Sequence, residues 1–125
     1  MPGAAQHLSQ VNSNKNFLYT FVSRPDGTTS FPDWAITVTF YIALHLVEQY
    51  LYVHHQKHCK NHRDRENEVE SDPNLRKIYS HYKRLSDWSR EARYDVVGFT
   101  NNEVREALSR LDAIEAHISP LILGE

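Results

Sequence analysis

Only one cysteine, Cys59, occurs in the chain, so an intramolecular disulfide framework is excluded and a Cys2His2 finger lacks a thiolate. A lone thiol fits a reducing, cytoplasmic setting. Glycine is also scarce, and the four present build neither a phosphate-cradling loop nor a dinucleotide fingerprint, which argues against ATP hydrolysis. The five prolines and four glycines form no linker, and no internal repeat is visible, so residues 1–125 read as a single domain. Positive charge is not in surplus: 14 Lys and Arg against 16 Asp and Glu give a net charge of −2. Any contact with RNA must therefore be local, because the whole molecule exerts no pull on a polyanion. Long apolar runs are missing as well. The stretch free of charged residues from Trp34 to Val47 is shorter than the ~18 to 20 residues of a membrane span. The opening "MPGAAQHLSQ" has no basic region followed by an apolar one, so no secretory signal and no membrane partner are expected.

What is present is enough apolar material, 40% of residues, for a core, arranged mostly with helical periodicity. A first helix is expected over about residues 7–23, with Leu8, Val11, Leu18 and Val22 on its buried face and Phe17 and Phe21 widening it. The segment "RPDGTTS" follows as a turn, with a hairpin around Asp26-Gly27 as the competing reading. Asp33 reads as the N-cap of a central helix over about residues 33–54, apolar on more than one face and so surrounded by others. A short charged helix at about residues 62–70, a third long helix at about 73–92 opened by Asp72 and Pro73, and a last helix at about 101–119 complete the set. Thr100 and Glu103 form a capping box for the last helix, Phe99 and Val104 a staple, and Ser119-Pro120 is expected to end it. These elements bury their stripes only against each other, which predicts an all-α bundle of four to five mostly antiparallel helices.

The stretch "VHHQKHCKNHRDRE" concentrates chemistry in a few residues. If the central helix continued through it, His54, His58 and His62 would fall at i, i+4 and i+8, and His55, Cys59 and His62 would offer a second set for zinc or nickel. Against a metal, the intervening Gln56, Lys57, Lys60, Asn61 and Arg63 supply no apolar shell. The plainer reading is a polar helix exit with surface histidines, and no cofactor is expected. Cys59 has Lys57, His58 and Lys60 around it, which would lower its pKa, yet no third orienting group marks a nucleophile. His62 stands apart, since it lies three residues from Arg65 and shares a helical face with it.

Inside the apolar helix runs a polar row, Tyr41, His45, Glu48 and Tyr52, whose steps of four, three and four hold it to one face. A buried Glu48 requires a cation, and the candidates are Arg65, Arg90 and Arg93, with Tyr94 as a neutral donor. The row serves either to fix the packing of the bundle or to build a small His, Glu, Arg and Tyr site.

The strings "DWAITVTFYIALHLVEQYL", "NHRDRE" and "YKRLSDWSREARYD" and the closing pattern "T..EV..AL..L..I", in order from Ser30 to Ile118, resemble the HEPN superfamily of prokaryotic helical bundles. The resemblance implies a bundle, commonly a homodimer, in a superfamily where many members are metal-independent ribonucleases of toxin–antitoxin, defence or RNA-processing systems. Their motif is an Arg followed a few residues later by a His, near the junction of the third and fourth helices, where His removes the ribose 2′-OH proton and Arg stabilises the phosphate. This chain departs from it: "RYDVVGFTNNE" holds Arg93 with no histidine before His117, and the literal match, Arg76 to His81, places its two side chains on different helix faces. Two expectations follow. The chain is a nonenzymatic module binding RNA, a nucleotide or an antitoxin-like protein, or a ribonuclease with a rearranged site in which His62 or His45 is the base, beside Glu48, and Arg65 or Arg93 binds phosphate. Arg90 and Tyr94 would add to anion binding, and a zinc enzyme using His54, His58, His62 and Cys59 is the remoter reading.

Overall fold

A computed structural model of the chain describes residues 4–23, 27–94 and 98–123. The chain folds as an all-α bundle of helices α1 (Ala4–Phe21), α2 (Pro32–His55), α3 (His62–Ser71), α4 (Tyr79–Tyr94) and α5 (Asn101–Leu123), with a 3₁₀ turn, Leu75–Ile78, leading into α4. Helix α2 is the axis and packs against α1, α4 and α5. Most of its apolar residues are buried, on more than one face, among them Ile36, Phe40, Ile42, Val47 and Leu51, while Trp34 and Val53 are exposed. By length and mean hydropathy α2 matches a membrane-spanning helix, a match the charge-free stretch alone does not reveal, but 72% of that apolar window is buried inside the bundle. The β-branched residues near its start are tolerated because the Thr37 and Thr39 hydroxyls donate back to the carbonyls of Asp33 and Ala35.

Helix α2 begins one residue before the expected cap. Pro32 occupies the first turn after Phe31, and Asp33 lies inside that turn, where its Oδ1 accepts from the Phe99 amide at 3.2 Å. That bond ties the chain entering α5 to the start of α2. In α1 the buried face is His7, Val11, Leu18 and Val22, whereas Leu8 and Phe17 are exposed. Residues one apart are about 100° apart around a helix, so the expected Val11, Leu18 and Val22 stay inside while His7 takes the buried place expected of Leu8. Among the described residues no strand flanks Gly27; Asp26 lies outside them.

The central helix does not continue through the histidine cluster. It stops at His55 because Gln56 turns left-handed, φ 46°, and the Gln56 and Lys57 amides close on the carbonyls of Tyr52 and Leu51. Asn61 then caps α3, its side-chain oxygen accepting from the Asp64 amide at 2.8 Å. Helix α3 is not wholly exposed, since Arg65 and Val69, four apart, face inward. Asp72 does not open an α-helix directly. It ends α3 as its C-cap, and its side chain accepts from the Asn74 and Leu75 amides that lead into the 3₁₀ turn and also from Tyr50 Oη and His55 Nε2. Burial would raise the Asp72 pKa, but the bonds from His55, Leu75, Asn74 and Tyr50 hold it below its ordinary value.

Helix α5 opens with half of the expected capping box: the Glu103 carboxylate accepts from both the amide and the hydroxyl of Thr100. It runs past Ser119-Pro120 to Leu123. A proline within the last turn removes one amide only, and Leu121 and Ile122 are half-buried against the core. The Leu121 carbonyl, one of the last four of the helix and so without a partner inside it, accepts from His54 Nε2 at 2.7 Å.

Candidate functional site

The polar row of α2 is intact as a seam, and each member meets a different partner. Tyr41 Oη accepts from Arg93 Nη1 at 2.5 Å, His45 Nδ1 lies 3.1 Å from His7 Nδ1, Glu48 meets Arg65, and the Tyr52 ring lies 5.3 Å from that of His58. Of the three cations expected for Glu48, Arg65 is the one that reaches it, with Nε donating to Oε1 at 2.6 Å and both side chains buried. Arg65 Nη1 continues to His62 Nδ1 at 3.1 Å. The buried Tyr82 hydroxyl also bonds Arg65, although burial raises the Tyr82 pKa well above the usual range. Arg65 is thus fixed on the Glu48, His62 and Tyr82 sides, and His62 touches Glu48 only through it.

That chain fixes the chemistry of His62. An arginine donates and never accepts, so His62 Nδ1 must be unprotonated and the neutral ring carries its proton on Nε2. Burial, followed by the charges of Arg65, Arg93 and Arg90, lowers the His62 pKa. At neutral pH the ring is therefore a hydrogen-bond donor at Nε2, suited to an anion and unsuited to removing a proton there.

His45 belongs to a different group. It pairs with His7, the buried residue of α1 that sequence reasoning missed, and burial, then the charges of His7 and Arg65, push its pKa down to about 4. His7 is lowered mainly by burial too, with Glu48 pulling the other way. His7 is buried and His45 half-buried, so the pair lies at the inner side of the seam. The clue to His7 was its four-residue step to Val11, which competes equally with the step from Leu8.

The five residues of the two expected metal sets are scattered. His54 reaches the Leu121 carbonyl, His55 reaches Asp72, and His62 reaches Arg65. His58 turns inward toward Glu48, with 3.9 Å from Nδ1 to Oε2. Cys59 is half-buried, and burial pushes its thiol up to about 11, the reverse of what its lysine neighbours suggest in sequence. Arg76 and His81 do not meet: Arg76 bonds the carbonyls of Glu70 and Ser71, while His81 accepts from Arg110.

Arg93, Arg90 and Tyr94 stand at the end of α4. Arg93 lies over the Tyr41 ring at 5.6 Å and the Tyr94 ring at 5.3 Å. It also lines a cleft of about 590 Å³ with Phe31, Trp34, Thr37 and Phe99. Trp34 is 63% exposed, Phe31 56% and Tyr94 75%, so aromatic faces are presented to solvent beside a guanidinium. Arg90 is exposed, with Asp87 at 3.8 Å.

Compared with protein-family models, with curated proteins and with solved structures, the chain matches none of them.

Proposed function

We propose that the protein is a HEPN-like helical bundle that binds RNA or a nucleotide on the face formed by the start of α2 and the end of α4, without cutting it. The observation that carries this reading is the position of Arg93, which borders the aromatic cleft on one side and the Tyr41 and His62 seam on the other. A base stacks on Trp34 or Phe31, a phosphate takes donors from Arg93, Arg90 and His62 Nε2–H, and the net charge of −2 is no obstacle because the cations are local. A cleft of this size accommodates a mononucleotide. The tautomer of His62 favours holding a phosphate over activating a 2′-OH, which supports a binding module ahead of a ribonuclease.

Labelled single-stranded RNA incubated with the protein in excess EDTA tests this. A complex from which intact RNA is recovered is expected. Cleavage that disappears in His62→Ala would make the protein a metal-independent ribonuclease instead.

A further inference from the structure

Beneath the Arg65 ion pair lies a second cluster that the proposed RNA face does not use. His7 from α1, Glu48 from α2 and His58 from the turn that follows α2 bring one donor atom each within 4.8 Å of one another. His7 is 5% exposed and Glu48 4%, and the His58 side chain is 12% exposed. Two buried ring nitrogens there, His7 Nε2 and His58 Nε2, have no hydrogen-bond partner among the described residues. Buried polar atoms are nearly always satisfied, so two orphans in one cluster call for an explanation.

We infer that His7, Glu48 and His58 form a site for a divalent transition metal of the zinc class. Two imidazoles and one carboxylate suit such an ion, and a donor set with a single oxygen disfavours magnesium and calcium. The surroundings are those of metal ligands. His7 uses Nδ1 on His45, leaving Nε2 as the free donor, and Glu48 gives Oε1 to Arg65 while Oε2 faces His58. The outer groups therefore orient the inner ones, as a second shell does. Donors around tetrahedral zinc stand about 3.4 Å apart, so seating the ion draws the three together by roughly 1 Å, a movement that side-chain rotation supplies. A hollow of about 290 Å³ lined by Lys57, His58, Cys59 and Asp64 reaches His58 from solvent and gives an entry path. The ion would fasten α1 to the 56–61 turn, two segments that meet here through the ring contact of His7 with His58, 5.8 Å between centroids.

The test is titration of chelator-stripped protein with Zn(II) against a chromophoric chelator, with Co(II) absorption as a second reading of geometry. One Zn(II) per chain is expected, with a tetrahedral Co(II) spectrum and a raised Tm. His58→Gln lies in a turn and keeps the fold readable by circular dichroism even if His7→Gln does not fold. It should weaken Zn(II) binding by more than about tenfold. His54→Gln and His55→Gln together should leave the affinity unchanged. Absence of a one-to-one complex, an unchanged affinity in His58→Gln, or a loss confined to the His54 and His55 variant would overturn the assignment.

Discussion

Arg65 does two jobs with one guanidinium. It neutralises a carboxylate that is 4% exposed and it sets the tautomer of a histidine at the surface. Removing one partner of a buried ion pair leaves the other charged and unpaired, which costs about 3 to 5 kcal/mol, whereas replacing both by apolar or neutral groups of similar volume is close to neutral. Arg65→Ala is therefore expected to lower the unfolding free energy by about 3 to 5 kcal/mol in urea titrations, and Arg65→Met with Glu48→Gln to lower it much less. A loss below about 1 kcal/mol in Arg65→Ala would mean that Glu48 finds another cation. The pairing was legible in the sequence as a demand, because a carboxylate on an apolar helix must be met. Which arginine meets it was not, since that depends on where α3 starts, and no periodicity encodes the path of the turn before it.

At the scale of elements, the helices with a single apolar stripe were readable and their ends less so. Of the α5 stripe that the spacing predicts, Val104, Ala107, Leu111, Ile114 and Ile118 are buried and Leu108 is half-buried. The stop of α2 carried no glycine or proline, and a continued helix would have aligned His54, His58 and His62. The structure ends it with Gln56 in a left-handed conformation that favours glycine. That one residue turns His58 back toward Glu48 and away from the line of His54. Gln56→Gly should remove the strain and raise stability by about 0.5 to 1 kcal/mol, read as a higher urea midpoint with unchanged slope. A decrease would show that the Gln56 side chain, whose Nε2 approaches the Val53 carbonyl at 3.4 Å, outweighs the backbone term. Asn61 caps α3 through the Asp64 amide, a local signal that the sequence reading did not use.

For the molecule as a whole, the eight histidines divide by environment, so composition misleads about charge. His7, His45 and His62 are all depressed, chiefly by burial, and stay neutral below the pH at which an exposed imidazole would charge. Mild acid therefore adds less positive charge than eight exposed histidines would, and attraction for an anion rests on permanently charged arginines. Those arginines gather at one end of the bundle beside exposed aromatic rings, while the metal-type cluster lies in the interior on the α1 side of α2. The polar row of one helix thus contributes to both proposed sites, one at the surface and one buried.

The most direct measurement of the central claim is the salt dependence of single-stranded RNA binding by the unaltered protein and by Arg90→Gln with Arg93→Gln. Each phosphate that the variant no longer neutralises should reduce the slope of log K against log salt by about 0.7, so a fall of up to about 1.4, with weaker binding at every salt concentration, is expected. Equal slopes and equal affinities for the two proteins would contradict the assignment of the α2 and α4 face as the RNA-binding surface.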